Sequence, residues 1–174
     1  TMNPTGTKIY RIRGVSGSGS SGVWEYTLST PWDLSSSATN ASSSLDVEGG
    51  FRGDIAWGDS GNYFYRLSNK SNNQLERYAA STPYDLGSCG STPDKTFVFG
   101  TPSIGVFTKM DKMFFKPDGT SVFMYAMSMS SNGEYIFQWD MSTPWDPSTI
   151  GSTTTPDASV TLGLVNDDYA AGIH

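Results

Sequence analysis

Cysteine and histidine are nearly missing from this chain: Cys89 and His174 are the single copies of each. One thiol cannot close an internal disulfide, and one imidazole without cysteine partners argues against a zinc centre or a histidine-based catalytic triad. Cys89 sits in Gly-Ser-Cys-Gly and is expected to be a plain loop residue. Charge is scarce as well, at 16% of residues, and the balance is acidic, with a net charge of -6. No cluster of Lys and Arg is present, so neither nucleic acid nor an anionic membrane surface is an expected partner. No apolar run reaches the ~18 residues a spanning helix needs. The first residues show no basic stretch followed by an apolar one, so no secretory leader is expected in them. The Gly-rich segment 14–22 (GVSGSGSSG) lacks the Lys and the following helix of a phosphate loop and is expected to be a flexible connection.

What fills the gap is Ser, Thr, Asn and Gly, together with 13% aromatic residues. Many small polar residues beside many aromatics suit an all-β chain with short strands and frequent turns. A disordered chain would lack the aromatics. With 174 residues the chain is long enough for one domain with a real core.

One phrase occurs three times: Ser29-Thr30-Pro31-Trp32-Asp33, Ser81-Thr82-Pro83-Tyr84-Asp85 and Ser142-Thr143-Pro144-Trp145-Asp146. Each copy follows a strand-like segment, and an aromatic (Tyr26, Tyr78, Trp139) stands three residues before each Ser. A second phrase recurs out of phase with the first, in NPTGTKIY, GDSGNYFY and KPDGTSVF. Its glycines, Gly6, Gly61 and Gly119, are spaced 55 and 58 residues apart. A period of this size signals stacked copies of one supersecondary unit that cannot bury its faces alone.

Each copy reads as four strands. The second predicts strands over 51–57, 62–67, 74–79 and 96–99, and the third over 112–115, 121–125, 135–139 and 158–162. The first begins later, with strands over 8–12, 23–28 and 45–47, and its missing opening strand is expected at the other end of the chain, over 169–174. Four antiparallel strands in about 55 residues without helical periodicity predict a β-propeller blade. The repeats divide the single domain, residues 1–174, into about 1–50 plus 168–174, 51–108 and 109–167.

Lys116-Pro117-Asp118-Gly119-Thr120 and Asn3-Pro4-Thr5-Gly6-Thr7, each followed by an aromatic-rich strand, resemble the blades of NHL- and YVTN-type propellers. Their combination with Ser-Thr-Pro-Trp-Asp resembles a propeller repeat of phage structural proteins and marine microbial surface proteins. The resemblance covers essentially the whole chain and implies an all-β propeller and a virion or extracellular setting; no cofactor is expected. It also implies that 51–57, 109–115 and 169–174 line a central channel. It does not by itself name a function, because propellers host unrelated activities. Three blades are too few for a ring, since known rings have about 4–8. A homodimer of three plus three blades, with the 169–174 strand of one chain completing the first blade of the other, is the expected closure; a fragment of a longer propeller is the alternative.

The repeated aromatics Trp32, Tyr84 and Trp145 could in principle stack on sugars. Recurrence in every unit is better matched to a structural plug: Pro pre-sets φ, Asp accepts backbone N–H groups, and the ring fills the gap between units. The loops before the innermost strands differ between copies and are the better site candidates, because variable loops on a rigid scaffold carry function. They supply the expected ligand-binding residues Arg52, Asp54, Lys109, Asp111, Lys112, Asp168 and Tyr169. Carboxylates, cations and aromatics around one entrance suit a hydroxyl-rich ligand such as a glycan. The expected function is therefore a non-enzymatic binding or structural module whose partners are itself and a glycan. A second reading is a metal-assisted hydrolase or lactonase that draws on Asp54, Asp111, Asp167 and Asp168 at the channel mouth; a third is a bare symmetric assembly domain. Asn166-Asp167-Asp168 offers oxygens to a hard cation but lacks the D-x-D-x-D-G spacing of a calcium loop.

Overall fold

A computed structural model describes residues 1–13, 22–46, 53–68, 73–100, 107–128 and 133–162. The described strands form three antiparallel sheets, each a simple up-and-down meander. The first is β1 (Lys8–Arg13), β2 (Gly22–Thr27) and β3 (Ser43–Asp46). The second runs β4 (Ile55–Gly58), β5 (Tyr63–Ser68), β6 (Gln74–Ala79) and β7 (Lys95–Val98). The third runs β8 (Phe107–Phe115), β9 (Ser121–Ser128), β10 (Gly133–Asp140) and β11 (Ala158–Thr161). Apart from these strands, the regular elements among the described residues are single 3-10 turns, of which Leu34–Ser36, Leu86–Ser88 and Pro147–Thr149 follow the three Asp residues of the repeated phrase.

The strands stand where the alternation of side chains predicts them, with two informative shifts. Of the segment expected over 51–57, the described residues enter the ladder at Ile55, which pairs with Arg66, and residues 51–52 lie outside the described residues. Its counterpart β8 is longer, reaching back to Phe107, and carries two register shifts, between Phe107 and Lys109 and between Met110 and Lys112. Such bulges add residues to one strand and bend it.

The first sheet departs from expectation at its free edge. Residues Thr1–Asn3 lie along β1: Met2 bridges Ile9, and the Tyr10 N–H donates to the Thr1 carbonyl at 2.9 Å. The Asn3 N–H donates to the Lys8 carbonyl at 3.1 Å. Part of the edge expected to be vacant is thus paired within the chain. The expected strand over 169–174 lies outside the described residues.

The sheets stack in chain order, and the alternation of side chains explains how. In β5, Tyr65 and Leu67 point to one face while Phe64, Arg66 and Ser68 point to the other, and all five are buried. The middle sheet is covered on both sides, which is why both of its faces need apolar residues. On one side, Tyr10, Val23 and Leu45 of the first sheet pack against Ile55, Phe64 and Tyr78 of the second. On the other, Tyr65, Leu67, Leu75 and Phe97 pack against Met113, Val122, Met124, Phe137 and Trp139 of the third. We call the face each sheet turns toward the next its leading face, and the opposite one its trailing face. A buried ion pair sits on the trailing face of the middle sheet. Arg66 Nη1 lies 3.1 Å from Glu76 Oε2, and the Tyr78 hydroxyl donates to the same oxygen at 3.0 Å.

Candidate functional site

The repeated phrase builds the same object three times. The N–H of Asp33, Asp85 and Asp146 donates back to the carbonyl of Thr30, Thr82 and Thr143 at 3.1–3.2 Å, closing a four-residue turn. Pro fills the second position, and the aromatic fills the third with positive φ: 64° for Trp32, 57° for Tyr84 and 64° for Trp145. This is the φ pattern of a type II turn, whose third position normally goes to Gly or Asn. Bulky residues rarely adopt it.

Two contacts hold the aromatics there. Their N–H groups donate to the carbonyls of Gly6, Gly61 and Gly119 at 2.8–3.0 Å. Their rings also lie directly over those glycines, in the space where a Cβ would stand. The glycines themselves have φ of 68°, 89° and 72°. The two phrases seen in the sequence are therefore halves of one lock, and each glycine is needed both for its backbone and for its missing side chain.

Each Asp caps the following turn by accepting an N–H, from Ser35 at 2.9 Å, Gly87 at 3.1 Å and Ser148 at 3.0 Å. A hydroxyl three residues after the Asp completes the loop. Ser36 Oγ, Ser88 Oγ and Thr149 Oγ1 each donate to the Asp carbonyl at 2.6–2.8 Å. Those hydroxyls fall seven residues after each opening Ser. The signal was in the sequence, but it matters only once the loop closes. Burial alone would raise the Asp146 carboxyl, but the Ser148 hydroxyl and N–H, with Lys95 at 3.3 Å, outweigh it and hold it below the usual range. At Tyr84 and Trp145 the turn plugs the space between sheets, as expected; Trp32 is locked on Gly6 in the same way but stands exposed.

The plugs also tie neighbouring sheets. The Tyr10 hydroxyl donates to the Tyr84 carbonyl and the Tyr65 hydroxyl to the Trp145 carbonyl, both at 2.6 Å. Arg77 Nη1 adds a second donor to the Trp145 carbonyl at 2.9 Å. At the first junction the buried Glu25 accepts the Leu86 N–H at 2.9 Å. At the second the matching residue is Pro147, which has no N–H, and the matching strand residue is Arg77, a donor.

The candidate site is a concavity of about 580 Å³ along the first strands of the sheets. It brings Asp54 and Lys112 together with Trp57, Phe114, Thr1 and Met2. Asp54 and Lys112 hold corresponding places in their sheets: Leu67 donates to the Asp54 carbonyl, and Lys112 pairs with Tyr125. The Asp54 carboxylate is engaged by backbone, with Oδ1 accepting from Ile55 at 2.9 Å and Oδ2 from Met113 at 3.2 Å. It clamps the middle sheet to β8 and keeps only its remaining lone pairs for a ligand. Lys112 forms no ion pair among the described residues. Two of the seven expected site residues are therefore brought together. Lys109 and Asp111 lie on β8 with side chains outside the described residues, and Arg52, Asp168 and Tyr169 lie outside altogether, as does Asp167 of the hydrolase reading. The aromatic wall of Trp57 and Phe114 was not foreseen as part of the site; its signal is the aromatics near the ends of β4 and β8.

Among the described residues no group of three or more His, Cys, Asp and Glu side chains gathers as a metal site. Cys89 is no activated nucleophile. Burial, with Asp85 and Glu25 adding repulsion, pushes its thiol up to about 12. Its place is that of Ser37 and Ile150, the residues whose bridges close the other two loops. No family model, curated protein or solved structure matches this chain.

Proposed function

We propose that the three sheets are blades of a β-propeller and that the protein is a non-enzymatic binding and structural module. Three up-and-down meanders, packed leading face to trailing face and locked by one repeated turn, support the propeller reading. In that reading β4 and β8 line the central channel and the concavity is part of its wall. The repeat's resemblance to phage and microbial surface proteins supports a place on a virion or cell surface.

The ligand we propose is a glycan, a hydroxyl-rich molecule with apolar ring faces. The observation that carries it is the meeting in one hollow, of a size typical for small ligands, of Trp57 and Phe114 with Lys112, a cation that forms no ion pair among the described residues. Aromatic faces take the C–H face of a sugar, and Lys112 and the free lone pairs of Asp54 take its hydroxyls. A glycan array followed by titration of the best binder tests this. Lys112→Ala is expected to weaken binding at least about tenfold, the effect of losing one charged hydrogen bond. An array without a binder, or a binder indifferent to Lys112→Ala, overturns the glycan half and leaves the structural module.

A further inference from the structure

Granted the propeller reading, on which this rests, we propose that the ring is closed by a second copy of this chain. The leading face of the β8–β11 sheet of one protomer docks on the trailing face of the β1–β3 sheet of the other, and two such junctions complete a six-sheet ring.

Repeat-equivalent residues at the two ends of the stack carry the inference. At the interior junctions the first residue of the 3-10 turn is buried: Leu86 is 1% exposed, and Pro147 is buried too. Its equivalent on the first sheet, Leu34, is 66% exposed. Beside it Trp32 is 63% exposed, while Tyr84 and Trp145 are half-buried. At the other end, Val160 pairs with Ile136 as Leu45 pairs with Val23 and Phe97 with Leu75. Leu45 and Phe97 are 5% and 8% exposed, whereas Val160 is 51% exposed. One end thus shows an uncovered trailing face and the other an uncovered leading face. Each is the half that its own interior counterparts bury, and a copy of the chain supplies the missing half to both. Such a head-to-tail contact closes when the rotation closes and leaves no open face.

One polar group matches as well, although Phe123 stands where Tyr10 and Tyr65 give their hydroxyls to the plug carbonyls. Glu25 and Arg77 occupy the strand position that meets the next plug, and Gln138 holds that position on the third sheet. A glutamine amide carries both functions the interior junctions divide between them. Its oxygen can accept the N–H of the partner's Leu34, as Glu25 accepts that of Leu86. Its nitrogen gives one hydrogen to Asp140 Oδ1 at 2.8 Å and can donate the other to the carbonyl of the partner's Trp32, as Arg77 donates to that of Trp145. The lysines that reach Asp85 and Asp146, Lys8 and Lys95, have Ser121 and Ala158 as counterparts. The junction between copies therefore lacks the counterparts of those two ion pairs. Closure by strand exchange, with residues 169–174 adding to β1, has only the edge beyond Tyr10 left to it, because Thr1–Asn3 pair with the rest.

Light scattering on a sizing column, with Leu34→Lys and Val160→Glu, tests this. Both positions are exposed in the single chain, so neither charge threatens its fold. The wild type is expected at twice 18.8 kDa. Each single variant is expected to raise the dissociation constant at least about tenfold, a typical loss for a charge in an apolar contact. The double variant, and an equimolar mixture of the two singles, are expected to dimerise again, because the two introduced charges are opposite in sign and meet across the junction. A wild-type mass of one chain, a dimer indifferent to both variants, or an absence of rescue overturns the second-copy closure. A mass well above two chains overturns it too, in favour of an open stack. Hydrogen exchange on the same samples separates the two readings: unprotected β5, β6, β9 and β10 amides would sink the propeller itself. Protected amides in a single-chain particle would sink only the closure.

Discussion

Gly119→Ala is expected to destabilise the protein far more than the chemically identical Gly6→Ala. Both glycines have left-handed φ, 72° and 68°, and at both the new methyl would enter the ring of the plug aromatic. The backbone cost is shared, about 1–2 kcal/mol for an L-residue in this region. The ring cost is not shared. Trp145 is wedged between sheets, with its ring abutting Gly58 and centred 5.6 Å from Phe115 and 6.5 Å from Tyr65, so it cannot retreat without moving the junction. Forcing a methyl into such a place adds about 1–3 kcal/mol of overpacking strain. Trp32 is 63% exposed in the single chain and can swing away. The expected losses are therefore about 2–5 kcal/mol for Gly119→Ala and about 1–2 kcal/mol for Gly6→Ala, each the sum of the terms above. Urea unfolding followed by tryptophan fluorescence reads the difference, in a Leu34→Lys background that keeps Trp32 uncovered. Equal losses would refute the idea that the rings over Gly6 and Gly119 differ in their freedom to move.

Three further outcomes follow from the junctions and the buried groups. Tyr10→Phe is expected to cost more than Tyr65→Phe in the same unfolding assay, about 1–3 against about 0.5–1.5 kcal/mol. The Trp145 carbonyl keeps Arg77 as a donor, whereas Tyr10 is the donor to the Tyr84 carbonyl; the reverse order would contradict this. Stability is expected to fall above pH 10. Burial, foremost, raises the hydroxyl pKa of Tyr10, Tyr65 and Tyr78 well above the ordinary phenol value. The unfolded chain then releases protons that the folded one holds, so their contribution is complete below pH 10 and lost as pH climbs toward the folded values. A midpoint of urea unfolding that stays flat from pH 9 to pH 11.5 would contradict it. Finally, iodoacetamide at pH 8 is expected to label Cys89 slowly in the folded protein and rapidly in urea, because the half-buried thiol stays protonated. Equal rates would show that the thiol is neither buried nor shifted.

Much of the scaffold could be read from the chain because its signals are short-range. The alternation in YFYRLS, the turn chemistry of Ser-Thr-Pro-aromatic-Asp and the spacing of Gly6, Gly61 and Gly119 each act within a few residues or recur at a fixed period. The site was less legible. Asp54 and Lys112 could be nominated from their place before the Gly turns, but not that the Asp54 carboxylate is taken up by the Ile55 and Met113 N–H groups. Nor could the aromatic wall be read, since Trp57 and Phe114 line one hollow only after two sheets stack.

By itself, then, the sequence determined an all-β chain of three repeated antiparallel units and where most of their described strands run. Only the tertiary structure decided how the two repeated phrases lock together, with each plug ring over a glycine more than 20 residues earlier in the chain. It also decided which tyrosine holds which carbonyl, across 74 and 80 residues of chain, and that Thr1–Asn3 occupy an edge expected to be open. Equivalent residues such as Leu34 and Leu86 carry the same local code but differ in what lies against them, because burial depends on neighbours the local pattern does not specify.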